Sequence, residues 1–410
     1  MAEKKKTPQI RINGFTKDWN VGLLNQYLET SLEKNCDEVF SREDVLSVSG
    51  DYGVVNQIEF QGRSFAGASV ANYGVVHTGD VVYTKSPLKE NPYGIIKTNT
   101  GKPGIVSTLY AIYHPLETTY PEFVQWYFEN NDRLNRYLNP LVNKGAKNDM
   151  KVSSDNALLG NVVFPEYDEQ KAISDALVRI KTIILQYEAK LQKLQTLKAS
   201  MLEKMFPKDG ADVPEVRFKG FDKPWRTTFL KDIASEIIRT DKTSKAPIMM
   251  ITAANGFIDQ SDRYSFNNAG QSLAKYIVLK KGELAYNHGA SKLRPYGSCF
   301  ALEVDEARMP YVYHCFTISE HNPYFVSRVL NNKETEKQLR KLVTSGARMD
   351  GLLNISYEEY TTVSIQLPER DEQDRIAEYF ENIENLIVLC QQELDKLQSV
   401  KKALLEKMFV

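Results

Sequence analysis

The sequence predicts an α+β fold in which two similar globular domains are joined by two long antiparallel coiled-coil helices. Three observations predict it: an internal repeat, a heptad pattern of apolar residues at the end of each half, and a strand-rich middle in each half. The pentapeptide LEKMF marks the repeat, because it occurs at 202–206 and again at 405–409 in a chain of 410 residues. A pseudo-twofold relation between the halves is expected.

The repeat extends well beyond that pentapeptide. Residues 165–206 align without a gap on residues 368–409, and 18 of the 42 positions are identical. The start of each half is also similar, since RINGFTKDW at 11–19 matches RFKGFDKPW at 217–225. The interiors diverge more, as expected for two related domains that carry different loops. We infer a tandem duplication.

The segment at the end of each half is predicted to be a long helix. Its apolar residues recur in steps of four and three, which is coiled-coil spacing. A helix of about 40 residues is about 60 Å long, so its apolar seam needs a partner helix. The other copy is the most economical partner; docking on its own domain and pairing with a second chain are the alternatives. The seams are Ile173, Leu177, Ile180, Ile184, Tyr187, Leu191 and Leu194, and Ile376, Phe380, Ile383, Ile387, Cys390, Leu394 and Leu397.

The middle of each half is interpreted as a compact α+β domain. Strand-like runs such as GDVVYTK at 79–85 and TTVSIQLP at 361–368 alternate with turns there. Helical stretches at 121–141 and 323–342 occupy the same place in each half. The predicted division is a first domain at 1–164, a first long helix at 165–206, a linker at 207–225, a second domain at 226–367 and a second long helix at 368–410.

The sequence lacks the usual motifs of catalysis and cofactor binding. It has no phosphate-binding loop, no histidines at zinc-ligand spacing and no nucleophile elbow. NPYG at 91–94 and NPYF at 322–325 lack the second proline of the adenine-methyltransferase loop, so each is interpreted as an Asn-Pro turn. We therefore expect neither metal nor cofactor in this chain, and no motif supports catalysis by it.

Composition favours a cytoplasmic protein. The four cysteines lie far apart and MAEKKKTPQI has no apolar run behind its charges, so we expect reduced thiols and no signal peptide. No stretch is apolar over the ~18 residues that a membrane span needs. The net charge of −1 is unusual for a chain that holds nucleic acid alone, because phosphate contacts need a cationic face.

Basic and aromatic residues on loops are the candidate nucleic-acid contacts. Two Gly-Ala turns, NKGAK at 143–147 and TSGAR at 344–348, place flexible backbone beside cations, and similar residues follow equivalent strands. A helix C-cap or solvated loop charges would explain the same residues. The candidates are Lys85, Tyr93, Lys144, Gly145, Lys147, Lys292, Arg294, Tyr296, Ser345, Gly346 and Arg348.

With these segments, the chain resembles the specificity (S) subunits of type I restriction-modification systems. The resemblance is carried by RFKGFDKPW at 217–225, the Gly-Ala turn at 346–347, PERDEQ at 368–373 and LDKLQSVKKALLEKMF at 394–409, with their first-half counterparts. It covers essentially the whole chain. The rival interpretations are a duplicated scaffold that binds two copies of a protein partner rather than DNA, and an autonomous enzyme.

The resemblance implies two target recognition domains, each of which reads one half of an asymmetric, bipartite site in double-stranded DNA. It implies two DNA adenine methyltransferase subunits as partners, which carry S-adenosylmethionine, and motor/nuclease subunits in the full complex. The specificity chain itself would be non-catalytic. The ends of the long helices are expected to be exposed and to bind partners through Leu202, Lys204, Met205, Phe206, Leu405, Lys407, Met408 and Phe409.

Overall fold

The chain folds into two units. Unit 1 comprises Met1–Ala189 and Gln391–Val410, and unit 2 comprises Lys190–Cys390. Each unit therefore contains the beginning of one long helix and the end of the other. The predicted fold class, with two similar α+β domains and two long helices, is confirmed. The structure, a computed structural model, describes residues 7–144, 150–208, 210–262, 270–343 and 352–410.

Unit 1 is built on a four-stranded antiparallel sheet in the order β2-β9-β6-β7, accompanied by the ribbons β1-β12, β3-β4, β5-β8 and β10-β11. All four residues of β6 are buried, which explains its run of Val81, Val82 and Tyr83. The strands are β1 Asn20–Leu23, β2 Leu28–Thr30, β3 Leu46–Ser49, β4 Gly53–Asn56, β5 Gly74–Val76, β6 Val81–Thr84, β7 Ile95–Thr98, β8 Gly104–Val106, β9 Tyr110–Pro115, β10 Asn143–Lys144, β11 Met150–Lys151 and β12 Asn161–Phe164, and the helices that begin in unit 1 are α1 Gln57–Gln61, α2 Pro121–Tyr127, α3 Asn131–Leu138 and α4 Tyr167–Lys204.

Unit 2 repeats this topology. Its central sheet has the order β14-β21-β18-β19, with the ribbons β13-β22, β15-β16 and β17-β20. The strands are β13 Arg226–Phe229, β14 Ala234–Glu236, β15 Met249–Thr252, β16 Gly256–Asp259, β17 Ile277–Lys280, β18 Leu284–Asn287, β19 Ser298–Ala301, β20 Glu306–Met309, β21 His314–Ile318 and β22 Ser364–Leu367, and the helices that begin in unit 2 are α5 Leu230–Ile233, α6 Pro323–Leu330, α7 Lys333–Leu342, α8 Tyr357–Tyr360 and α9 Arg370–Lys407.

Each helical stretch in the middle of a half is two helices rather than one. Asn130 and Asn332 interrupt the two stretches and cap the second helix of each pair. The Asn130 side chain accepts a hydrogen bond from the backbone N–H of Arg133 at 2.9 Å, and Asn332 accepts one from Thr335 at 2.8 Å. Asparagine is a favoured N-cap because its side-chain oxygen replaces a missing helical acceptor.

The predicted seams of the long helices are covered. None of the fourteen seam residues is exposed, whereas most residues between them are. In unit 2, Lys198 of α4 forms an ion pair with Glu384 of α9 at 2.8 Å. In unit 1, Lys181 of α4 and Lys401 of α9 both lie near the ring of Trp126, at 6.0 and 5.7 Å. Lys181 of α4 thus lies near Lys401 of α9, whereas the later Lys198 lies beside the earlier Glu384. The two helices therefore run antiparallel.

The recurring PYG tripeptide is a turn required by close packing. Gly94 and Gly297 have positive φ angles of 87° and 83°. A Cβ atom at these positions would lie 1.9 Å from the carbonyl oxygen of Thr84 and 2.6 Å from that of Asn287. Both the conformation and the contact therefore require glycine.

Candidate nucleic-acid interface

The start of each long helix is fixed to its unit by a buried ion pair. In unit 1 the guanidinium of Arg11 binds both carboxylate oxygens of Glu169 at 2.7 and 2.8 Å. In unit 2 Arg217 binds both oxygens of Glu372 at 2.7 Å. Hydrogen bonding to these carboxylates raises the pKa of both arginines. The shared Arg and Glu of the two repeats therefore position the helices rather than bind a ligand.

The adjacent glutamines complete this anchor. The Gln170 side-chain amide donates to the carbonyl of Pro165 at 2.9 Å, and its oxygen accepts from the backbone N–H of Tyr120 at 2.9 Å. Gln373 repeats the first of these contacts with Pro368 at 2.8 Å. Both glutamines are fully buried, and satisfied buried amides specify one geometry. The Glu-Gln motif is thus a structural joint between each domain and its helix.

The expectation that the Met-Phe ends of the long helices are exposed is wrong. Met205 and Phe206 lie in the main core of unit 2, where the Phe206 ring stacks on Phe325 with centroids 5.6 Å apart. Met408 and Phe409 lie in the main core of unit 1. The cause is the duplication itself: each helix ends inside the unit in which the other helix begins. Leu405 is buried there as well.

The remaining predicted partner-binding residues lie at the surface of the same helix ends. Lys407 is exposed and Leu202 is half-buried. The ammonium of Lys204 lies 3.5 Å from the carboxylate of Glu215, and its side chain is half-buried. The carbonyls of Lys204 and Lys407 accept hydrogen bonds from the backbone N–H groups of the chain segments beside them. The side chain of Lys407 is therefore open to a partner, whereas that of Lys204 is already paired with Glu215.

Lys85 and Tyr93, the candidate contacts of unit 1, have different surroundings. Lys85 follows β6 directly and is half-buried; burial lowers its pKa, and the neighbouring Lys34 ammonium lowers it further. Tyr93 packs against the main core, its hydroxyl donates to the side chain of Asn139, and its carbonyl accepts from the hydroxyl of Tyr83 at 2.7 Å. These contacts give Tyr93 a structural role and leave Lys85 as the candidate.

The candidates of unit 2 divide in the same way. The Tyr296 carbonyl accepts from the hydroxyl of Tyr286 at 2.5 Å, as Tyr93 does in unit 1. The guanidinium of Arg294 donates to the backbone carbonyl of Asn331, and burial lowers its pKa. Lys292 is exposed. Lys292 is therefore the candidate that remains open to a ligand.

Most of each Gly-Ala turn lies outside the described residues. Lys144 ends strand β10, but its side chain lies outside the described part of the structure. Of the other candidates, Gly145, Lys147, Ser345, Gly346 and Arg348 lie outside the described residues. Their assignment to nucleic-acid contact stays a prediction.

An exposed aliphatic residue occurs at the same place in each unit and was missed from the sequence. Leu32 follows the edge strand β2 and is 83% exposed; Ile238 follows the equivalent strand β14 and is 77% exposed. Their positions differ by 206, the offset that relates the N-terminal segments. That shared offset could have identified the two positions as equivalent from the sequence. The repeat thus places an exposed aliphatic side chain beside the edge strand of each central sheet.

The described residues show no group of His, Cys, Asp and Glu that could hold a metal ion. Within those residues, no helix has both the length and the hydropathy that a bilayer span requires. NPYF has a structural explanation, because Asn322 caps α6 by accepting from the backbone N–H of Phe325 at 3.0 Å. The geometry around these residues is that of a turn and a helix cap.

Comparison with protein-family models and with curated proteins finds no match. Solved structures do match. The type I restriction-modification S subunit from M. genitalium is 11% identical with a TM-score of 0.57, over 98% of this chain and 99% of that chain. The HsdS subunit from Thermoanaerobacter tengcongensis is 16% identical with a TM-score of 0.43, over 95% and 96%.

A further match is a chain from a structure of type I restriction-modification complex assembly and conformational transition. It is 15% identical with a TM-score of 0.44, over 95% of this chain and 97% of that chain. At these sequence identities the comparison establishes the fold alone, and it does so through the M. genitalium structure. The chain has the fold of a type I specificity subunit along nearly its whole length.

Proposed function

We propose that this chain is the DNA sequence-specificity subunit of a type I restriction-modification complex. The observation that carries the proposal is the architecture: two units of the same topology, with divergent loops, share two long helices across the whole length of an S-subunit fold. Each unit acts as a target recognition domain for one half of a bipartite duplex site. Because the units differ in sequence, the two half-sites differ and the whole site is asymmetric.

The chemistry is assigned to partner subunits. Two DNA adenine methyltransferase subunits supply S-adenosylmethionine and methylate the target, and motor/nuclease subunits complete the restriction complex in the cytoplasm. This chain recognises DNA and catalyses nothing. The net charge of −1 supports this division, because a cationic partner surface can neutralise much of the DNA backbone. Two separate recognition units in one chain are suited to a target made of two half-sites.

The proposal is tested by exchanging one recognition domain. Replacing residues 20–160 with the corresponding segment of another specificity subunit is expected to change one half-site and preserve the other, because each unit has its own central sheet and loops. Adenine methylation is mapped in cells that express the chimaera with its methyltransferase subunits. A change in both half-sites, or in neither, would contradict separate readers.

Partner binding is proposed at the lysines of the helix ends. Reversing both charges, with Lys204→Glu and Lys407→Glu, is expected to weaken assembly with the methyltransferase subunits. Folding should change by only about 0.5 kcal/mol, because Lys407 is exposed and the pair of Lys204 with Glu215 lies at the surface. Assembly is measured by gel filtration, and the matched control is Lys193→Glu, an exposed position on α4. Unchanged assembly of the double variant would refute this docking site.

A further inference from the structure

Unit 1 contains a polar pocket beside the edge of its central sheet. Its volume is about 240 Å³, and its lining includes Thr30, Lys34, Ser107, Tyr110 and Asp155. Five hydroxyl-bearing residues, one cation and one carboxylate thus surround a single open space. Lys85, the candidate contact of unit 1, lies near Lys34.

The carboxylate of Asp155 is oriented by one hydrogen bond and remains accessible to a ligand. The Thr30 hydroxyl donates a hydrogen bond to Oδ1 of Asp155 at 2.6 Å, and Asp155 is exposed. Lys34 is exposed and close enough to Lys85 to lower the pKa of that side chain. Within the described part of the chain, Lys34, Lys85 and Asp155 form no ion pair. The pocket therefore offers the Asp155 carboxylate as a hydrogen-bond acceptor, and Lys34 and Lys85 as nearby cations.

The equivalent position of unit 2 is built differently. His288 follows β18 as Lys85 follows β6, and its ring is buried. One ring nitrogen lies 2.9 Å from the carbonyl oxygen of Leu353, and the other lies 2.8 Å from that of Val312. The imidazole thus joins two backbone segments and takes the place of the half-buried Lys85 of unit 1. The two units therefore carry different side chains, Lys85 and His288, at equivalent positions.

The presence of both a carboxylate and two lysines favours a ligand that carries both negative charge and hydrogen-bond donors. A simple anion would be repelled by Asp155, and a simple cation by the two lysines. A nucleotide carries both a phosphate and hydrogen-bond donors on its base. Aspartate accepts from the exocyclic amino group of cytosine, and lysine binds phosphate. The exposed Leu32 side chain at the rim offers apolar contact to the same nucleotide.

We infer that this pocket reads one base of the half-site bound by unit 1. Asp155 accepts a hydrogen bond from the exocyclic amino group of cytosine or adenine, and Lys34 and Lys85 contact the neighbouring phosphates. This inference rests on the proposed function, since it assigns specificity residues within one recognition domain. It predicts that the two half-sites are read by different chemistry, because His288 replaces the cation in unit 2.

The test uses the full chain assembled with its methyltransferase subunits and a randomised duplex DNA library. Asp155→Asn, which replaces a pure acceptor by a group that also donates, should reduce discrimination at one position of one half-site by about 10-fold. Lys34→Ala should weaken methylation similarly for all sequences and reduce the salt dependence of binding by about one phosphate contact. The other half-site should stay unchanged in both variants.

The controls separate the inference from the proposed function. Lys102→Ala removes an exposed charge from a different turn of unit 1 and should leave base preference unchanged. Thr30→Val, which removes the bond that orients Asp155, should weaken the same base preference as Asp155→Asn. The inference is overturned if Asp155→Asn leaves every position unchanged or lowers methylation equally for all sequences. If the unaltered complex shows no bipartite target, the proposed function fails instead.

Discussion

Truncation of Phe206 to alanine is expected to lower the free energy of unfolding of unit 2 by about 3–5 kcal/mol. The ring is buried and packs against three aromatic rings, with centroids 6.0 Å from Trp225, 5.6 Å from Phe325 and 6.2 Å from Phe380. Its loss leaves a cavity and releases the end of α4. Phe409→Ala should do the same in unit 1, where Phe409 packs on Phe123 at 5.6 Å.

Hydrogen exchange with mass spectrometry resolves the two effects. Phe206→Ala should increase exchange in α6 and the start of α9, and Phe409→Ala should increase it in α2. The matched control is Leu197→Ala on α4, because Leu197 is exposed and its truncation should cost less than about 1 kcal/mol. If Phe206→Ala left stability unchanged but abolished assembly with methyltransferase subunits, the burial of the helix ends would be refuted.

Substitution of Glu372 by alanine is expected to destabilise unit 2 by about 3–5 kcal/mol, because it leaves Arg217 with a poorly solvated and unpaired charge. The Glu372 side chain is 1% exposed and that of Arg217 is 12% exposed. The pair also fixes the start of α9, so its loss should loosen the joint between helix and domain. Chemical denaturation measures the change in unfolding free energy.

A neighbouring ion pair provides the control for Glu372. Glu369 binds Lys223 at 2.5 Å, but both side chains are more than half exposed. Glu369→Ala should therefore leave the stability nearly unchanged, because exposed ion pairs contribute little. The double variant Arg217→Met with Glu372→Leu should be more stable than Glu372→Ala, because it leaves no unpaired charge. Equal losses for Glu369→Ala and Glu372→Ala would contradict the buried anchor.

The two similar domains and the two long helices could be predicted because the sequence repeats and its apolar residues recur at heptad spacing. The heptad steps identify seams that the structure covers, and the antiparallel arrangement followed from two similar helices separated by a domain. The same reasoning went wrong at Phe206 and Phe409. A Met-Phe pair at a helix end looks equally apolar whether it meets a partner subunit or the second unit of its own chain.

The candidate contacts were harder to predict, because the role of a polar residue depends on tertiary neighbours. Arg294 and Tyr296 resemble loop contacts in the sequence, yet one binds the backbone carbonyl of Asn331 and the other closes a turn on Tyr286. Asp155 was missed because a single carboxylate has no periodic or motif signal. Only the folded chain brings it into the same pocket as Lys34.

The central claim is that this one chain chooses a bipartite DNA target through two unlike readers. Its most direct test is an adenine methylation map of the host genome, with and without this chain, by single-molecule sequencing. The account predicts methylated adenines within two different short sequences separated by a fixed interval, all of which disappear when the chain is removed. A palindromic or continuous target, or methylation that persists without the chain, would contradict it.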